Sequence, residues 1–317
     1  MKRVNIYITE KEETALDYLS EILDCKSRSE IVRKAIDEYS HKYESEIKEF
    51  SAGLIEDLSN VFLERQSTFI DECEKDPTFF IENAIKIMSP DVGSIPFTLY
   101  PHQSELIHDI DLYNELIINK SRQSGVTNSI CAYIVNYLLR NKHKNVVVVS
   151  ARQSDATEII RIIKFMLTNL PESMKLEEDL SLNNKIRIEY NTNRVYGGIM
   201  NHESSHGINV DFLYMDEISR VKRESFDNFF ASVIPTIVSR KNYKMIITST
   251  PRGYDHFYKM WADALSNYNT LRPIAIPWTK VPNRDDAWKN QIISTIGKDR
   301  FEEEFNCQFV NRTVYAV

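Results

Sequence analysis

Residues 115–138 read ELIINKSRQSGVTNSICAYIVNYL, and the change of pattern within this stretch decides the fold. Leu116-Ile117-Ile118 is a short apolar, β-branched run of the kind that suits a strand buried on both faces, whereas the residues after Asn128 carry apolar side chains at helical spacing. Between them lies Lys120-Ser121-Arg122-Gln123-Ser124-Gly125-Val126-Thr127. Three more runs share the strand character: Val146 to Val149, Phe212 to Met215 and Met245 to Thr248, with helical segments separating them. Strands alternating with helices predict an α/β fold with a mainly parallel sheet, and such sheets bind ligands at the carboxyl ends of their strands.

The residues at those ends therefore carry the functional reading. A phosphate-binding turn needs backbone N–H groups aimed at phosphate, a helix N-terminus behind them, a lysine for the β/γ charge and a hydroxyl for Mg²⁺. Gly125 and Thr127 stand at the expected glycine and Ser/Thr positions, but Val126 occupies the lysine position and Lys120 stands where the first glycine belongs. The octapeptide alone fits an ordinary strand-to-helix turn as well as a phosphate loop in which Lys120 serves from the other end. Arg122 adds a second cation with the fork geometry that suits phosphate oxygens. The run Phe212-Leu-Tyr-Met-Asp-Glu217 ends in adjacent carboxylates, which can divide the work: Asp216 for the Mg²⁺ shell, Glu217 for polarising an attacking water. Placed about ninety residues after the turn, they favour the phosphate-loop reading. The fourth strand ends in Ser249-Thr250-Pro251-Arg252-Gly253, hydroxyls able to sense a γ-phosphate or simply a Pro-Gly turn. Upstream, Gln103 in a Tyr100-Pro101-His102-Gln103 turn before a helix offers the paired donor and acceptor that adenine requires.

Length and composition set the frame. With 317 residues, 42% hydrophobic and 27% charged, the chain has a globular composition for roughly two domains of ~150 residues. No apolar run spans a bilayer and no signal peptide opens the chain, so a cytosolic protein without membrane contact is expected. Cys25, Cys73, Cys131 and Cys307 form no CxxC pair and read as reduced structural thiols. The formal charge of −7 speaks against a nucleic-acid binder as an average.

Residues 3 to 8 nevertheless alternate, with Val4, Ile6 and Ile8 on one face and Arg3, Asn5 and Tyr7 on the other, before two short amphipathic helices. Some 42 residues in such a unit need a partner copy to bury a core. This segment, notably SRSEIVRKAIDEY, resembles the ribbon-helix-helix family, which implies Arg3, Asn5 and Tyr7 facing DNA bases. The alternative is a dimerisation module that reads no DNA. The expected organisation is a module over residues 1–45, a helical spacer over 46–75 and an α/β domain over 76–317.

From about residue 76 to residue 310 the chain resembles the ATPase half of the large terminase subunit, the DNA-packaging motor of tailed bacteriophages. The resemblance rests on DPTFFIENAIKI, PFTLYPHQ, SRQSGVT, FLYMDE, IITSTPRGYDHFYKMW and GKDRFEEEFNCQF, in that order. It implies a P-loop NTPase fold of RecA/helicase type, ATP and Mg²⁺ as cofactors, and hydrolysis coupled to movement of double-stranded DNA into a procapsid. It also implies Gln103 on adenine, Lys120, Ser121, Arg122, Gln123, Ser124, Gly125, Val126 and Thr127 as the phosphate loop, and Thr127 and Asp216 on Mg²⁺. Glu217 would be the catalytic carboxylate, Arg122 an arginine finger with Arg152 as a second candidate, and Ser249-Thr250-Pro251 the coupling motif. Where many members have Arg-Gly before the carboxylate strand, this chain has His206-Gly207. A portal protein and a small terminase subunit are the implied partners, host cytoplasm the implied location, and a ring on the portal or a dimer through the N-terminal module the implied assembly. The length leaves no room for the family's nuclease, so no nuclease activity is expected of these residues. Two other readings stay open: a helicase-like remodeller, and a non-enzymatic ribbon-helix-helix DNA-binding protein that keeps a degenerate ATPase fold, which Val126 favours.

Overall fold

The computed structural model describes Glu30 and residues 67–175, 186–201 and 208–311. The expected DNA-facing residues Arg3, Asn5 and Tyr7, most of the expected spacer, Cys25 and the pair His206-Gly207 lie outside the described residues. The chain divides into two compact units, Met1–Cys73 and Glu74–Val317, and the strands and helices named below all belong to the second.

Its first helix, α1 (Pro77–Ala84), starts at proline, whose fixed φ suits a first turn, and Asp76 Oδ1 caps it by accepting from the Thr78 N–H at 2.7 Å. A small antiparallel hairpin follows, β1 (Lys86–Ser89) with β2 (Gly93–Pro96). Then α2 (Pro101–Leu112), β3 (Glu115–Lys120), α3 (Val126–Arg140), β4 (Asn145–Ser150) and α4 (Gln153–Thr168) alternate. After β5 (Arg187–Tyr190) and β6 (Asn193–Ile199) come β7 (Phe212–Asp216), α5 (Arg223–Val238), β8 (Lys244–Ser249), α6 (His256–Leu265) and β9 (Arg272–Ile276). Helices α7 (Asp286–Ile296) and α8 (Lys298–Glu304) complete the described chain.

Seven strands form one sheet in the order β5-β6-β4-β7-β8-β3-β9, parallel throughout except for the β5–β6 pair. The chain is thus an α/β protein with a mostly parallel sheet. The four strands read from the sequence are its four central ones, and each is fully buried beyond its first residue or throughout. Successive side chains on each strand point to opposite faces, and each face has its own helices. Ile117, Val147, Val149, Leu213, Met215 and Ile247 pack with Phe226, Phe229 and Val233 of α5 and with Phe257 and Trp261 of α6. On the other face Phe212 lies against the rings of Tyr133 and Tyr137 from α3. Removing such side chains from water contributes roughly 1.5–3 kcal/mol apiece, which is why a strand with helices on both faces reads as an unbroken apolar run. At Gly197 of β6 a Cβ would stand 2.6 Å from Ile160 Cγ1, so only glycine lets α4 approach this closely.

Candidate functional site

The carboxyl ends of β3, β7 and β8 lie side by side because the register pairs Asn119 with Ser249 and Asp216 with Thr248. Lys120 is the last residue of β3 and points its ammonium across β8: Nζ donates to Glu217 Oε1 at 2.9 Å and stands 3.4 Å from Asp216 Oδ1. Burial by itself would drive the ammonium toward its neutral form, but the two carboxylates outweigh that and hold its pKa above the ordinary lysine value. Asp216 Oδ1 also accepts from the Thr248 hydroxyl at 2.6 Å. Glu217 sits in the left-handed region at φ +55°, a conformation uncommon for a side chain that bears a Cβ. That geometry starts a turn at Ile218–Arg220 and keeps the carboxylate beside Lys120. Its second oxygen, Oε2, is buried without a hydrogen bond, while Arg220 Nε stands 3.2 Å away.

The connection from β3 to α3 is wound tightly. Gly125, at φ +77°, closes it immediately before the helix, and a Cβ there would stand 2.1 Å from Gln103 Nε2. Only glycine serves at this point. Ser124 Oγ donates to Ser121 O at 2.8 Å, and the first amides of a 15-residue helix follow. Val126, 1% exposed, turns into the core, and Thr127 is the second residue of α3, half-buried at its start. Gln123 is exposed and, like Glu217, left-handed at φ +54°.

Two residues stand differently from the sequence reading. Gln103 belongs to the first turn of α2 rather than to a turn before it, because Pro101 favours helical φ and Gln103 Oε1 accepts the Tyr100 N–H at 2.9 Å. Its Nε2 donates to Ser124 O at 3.4 Å, so the amide lies beneath the loop with both ends engaged, 3% exposed. Arg122 directs its guanidinium to Glu304 of α8, through Nε and through Nη2 at 3.2 Å to Oε1, while its N–H donates to Glu304 O at 2.9 Å. The hydrogen bond to Glu304 holds its pKa above the ordinary arginine value. Arg152 is exposed at the start of α4.

The Ser249-Thr250-Pro251 segment is bonded to the turn that follows Glu217. Ser249 Oγ accepts the Ser219 N–H at 3.1 Å, and a His256 ring nitrogen stands 2.8 Å from Ile218 O, which ties the turn after Glu217 to β8 and α6. Thr250 and Pro251 are buried.

Two further residues contribute, Arg284 and Thr248. Arg284 donates through Nη1 to Ser121 Oγ at 2.8 Å and through Nη2 to Arg122 O at 2.8 Å and Gln123 O at 3.1 Å. It stacks over Trp288 at 4.7 Å, and burial pulls its pKa below the ordinary value. A lone arginine in a polar loop, some 160 residues from its partners, carries no local signal. Thr248 had one, since it immediately precedes Ser249 at the strand end. A buried ammonium and two adjacent carboxylates thus meet at the carboxyl ends of β3 and β7, with the start of α3 and Thr127 a few residues beyond Lys120, and this donor set suits a phosphate chain with a divalent cation.

The family description "Terminase large subunit, T4likevirus-type, N-terminal" matches residues 117–314, more than half of the chain. Among solved structures, the large terminase of a thermophilic bacteriophage in complex with ATP-gamma-S is similar at a TM-score of 0.52 and 14% identity, covering 67% of this chain and 53% of that one. The large terminase ATPase domain of Thermus phage P74-26 gives 0.51 and 15%, covering 68% of this chain and 95% of that one. The large terminase of bacteriophage HK97 gives 0.54 and 15%, covering 70% and 47%. At these identities the likeness is one of fold, and the chain spans about half the length of the thermophilic-phage and HK97 large terminases it matches. Its fold is that of the terminase ATPase domains, a P-loop, RecA-like sheet, and with the family match running from β3 to beyond α8, the chain belongs to the large terminase family.

Proposed function

We propose that this chain hydrolyses ATP with Mg²⁺ and couples hydrolysis to the movement of double-stranded DNA during genome packaging. The observation that carries the reading is the position of Lys120: its ammonium lies against Asp216 and Glu217 at the carboxyl end of β3, where the turn closed by Gly125 begins, while Val126 is buried in the core. A lysine at the first loop position therefore supplies the cation that the usual position lacks. Family membership and the ATP-gamma-S bound to the thermophilic-phage terminase support nucleotide binding.

The residues fit the proposed ligand set. Glu217 Oε2 is buried and makes no hydrogen bond, facing only the Arg220 guanidinium at 3.2 Å, and the first amides of α3 follow a glycine whose left-handed φ any larger residue would adopt under strain. A Mg²⁺ ion held by Thr127 and Asp216 would neutralise charge on the phosphates. The other chemical roles belong to the chain: Lys120 faces phosphate charge, Glu217 orients water and takes its proton, and Thr248 fixes the orientation of Asp216. Ser249 relays the change through the bond it accepts from the Ser219 N–H in the turn after Glu217, and Thr250 and Pro251 carry it onward along the chain. Gln103 reaches adenine by exchanging Ser124 for the base, and Arg122 reaches phosphate only when its pair with Glu304 opens.

The remaining roles are proposed on the family resemblance alone: docking on a portal, a small terminase partner, a homo-oligomeric ring, and location in the host cytoplasm. Among the described residues no helix is long and apolar enough to cross a membrane. For residues 1–45 the proposal is DNA contact through Arg3, Asn5 and Tyr7, checked by salt-dependent anisotropy of that segment with duplex DNA. The decisive assay is ATP turnover of the full chain with and without DNA, beside Lys120→Ala. Turnover that DNA raises and the substitution abolishes is the expected result. Turnover equal in both proteins would remove Lys120 from the site and the proposal with it.

A further inference from the structure

The segment Phe301-Glu302-Glu303-Glu304-Phe305 takes no part in the chemistry above, yet it touches both loops of the site. Glu304 holds the phosphate loop twice, by its carboxylate on the Arg122 guanidinium and by its carbonyl on the Arg122 N–H. One residue earlier Glu303, fully buried, accepts the Gly253 N–H on Oε1 at 2.7 Å, two residues beyond Pro251 of the coupling segment. Neighbours on an α-helix point about 100° apart, so a single turn of α8 holds a loop on each of two sides.

The helix between them is itself fixed. Phe301 is fully buried among Trp278, Trp288 and Phe305, and the Trp278 N–H donates to Phe305 O at 2.8 Å. Just past the helix, Asn119 Nδ2 donates to Cys307 O at 2.8 Å, and Cys307 Sγ donates to Asn119 O at 3.4 Å, next to Lys120. A buried carboxylate is costly unless its partners are well placed, so an acidic side chain at position 303 makes sense as a strong acceptor for an amide that must not drift.

We infer that Glu303 and Glu304 are positioning residues which make α8 a stiff link between the phosphate loop and the coupling segment, so that a displacement of Arg122 is felt at Gly253. The functional consequence rests on the ATP-driven reading given above; the link itself belongs to the nucleotide-free chain.

Two measurements on the full chain test it. The first is hydrogen exchange without nucleotide, read in peptides over residues 120–127, 249–255 and 145–150, for wild type, Glu304→Gln and Glu303→Gln. Glu304→Gln is expected to speed exchange in 120–127 by about five- to thirty-fold, the factor that goes with losing one such contact, and to speed 249–255 in the same sense with 145–150 unchanged. Acceleration confined to 120–127 overturns the link, and so does an equal acceleration in all three peptides, which marks general destabilisation. Glu303→Gln keeps an acceptor oxygen and the side-chain shape, so it guards against a variant that merely fails to fold. The second measurement is steady-state kinetics: Glu304→Gln, which releases Arg122 toward phosphate, lowers KM for ATP, whereas Glu303→Ala, which removes the acceptor of the Gly253 N–H, lowers kcat and its stimulation by DNA with KM kept. Unchanged kinetics in both active variants overturns the inference. A wild-type chain that neither binds nor hydrolyses ATP sinks the functional proposal instead, and the exchange data then judge the link alone.

Discussion

At the amino ends of the central strands, Lys244 donates its ammonium protons to Ile110 O at 2.5 Å and to Asp111 O and Tyr113 O at 2.8 Å each, closing the C-terminus of α2. Nearby Asp211 accepts the Asn145 N–H at 3.0 Å and faces Lys144 at 3.3 Å. At the carboxyl ends, some five residues further along the same strands, Lys120 faces Asp216 and Glu217. Lys120 is buried and Lys244 partly so, and each ammonium is held by the groups around it, but their partners differ in kind. The carbonyls around Lys244 are fixed by the helix whose end they form, and a lysine there satisfies orphan groups that every helix terminus leaves. The carboxylates around Lys120 are charges that another cation can take over, and the ammonium they hold is one that another anion can take. Under the proposed function, Lys244 at one end of the sheet closes a helix terminus, whereas Lys120 and its carboxylates at the other would exchange partners with nucleotide and cation. Closeness of charge alone would not separate them.

That contrast can be broken by measurement, and the largest effect is expected at Glu217. Glu217→Gln should keep nucleotide binding and lose about 10²–10⁴ of turnover, because the amide no longer accepts the proton of the attacking water. Turnover near wild type would show that the carboxylate beside Lys120 is a structural partner like those of Lys244. Next comes Lys120→Ala, which leaves two carboxylates facing each other under the loop. Stability in urea without nucleotide should fall by about 3–5 kcal/mol, as for a buried pair that loses one member. Adding Mg²⁺ should restore part of the loss in the variant and do less for wild type; an absence of any Mg²⁺ effect would argue against a cation site at Asp216. A smaller change is expected from Lys244→Met, about 1–3 kcal/mol for carbonyls left without donors, with ATP turnover kept. If turnover drops, the two ends are not independent.

The smallest effect is a slope with pH. Burial pulls Lys244 from 10.5 down to about 8, with the nearby Arg140 charge acting in the same direction. Its folded value lies below its unfolded one, so between about pH 8 and 10.5 the unfolded chain keeps a proton that the folded chain has released. Stability contributed by this group therefore rises with pH across that window. Lys120 has the opposite sign: its raised value gives stability that is fully present below 10.5 and is lost as pH climbs through the folded value. Urea midpoints of wild type and Lys244→Met between pH 7 and 10 should diverge, with the upward trend missing in the variant.

Much of the fold was legible because the physics was local. Four strands covered by helices on both faces must be apolar throughout, and that requirement writes itself into consecutive residues. The strands that carried no such run explain themselves in the structure. β9 contains Pro273 and lies at the sheet edge, where a missing N–H is tolerated, and β6 contains Gly197, which serves the approach of α4. The site divides in the same way. Asp216, Glu217, Gly125 and Thr127 were readable because a strand end and a helix start fix where their side chains can go. For Gln103 the sequence supplied the residue but not its setting, since whether Pro101 opens the helix depends on the capping bond that Gln103 itself makes.

What the sequence by itself determined, then, is the alternation of buried strand and helix and the kinds of group standing at the strand ends, since both follow from periodicity and residue type over a few positions. Only the tertiary structure decided which of those groups meet. Strand order brings Lys120 to Asp216 and Glu217 across β8, pairs Arg122 with Glu304, and lays Arg284 over the loop carbonyls. Those partners lie roughly 100 to 180 residues apart, and no local pattern encodes a distance that the sheet's crossovers set.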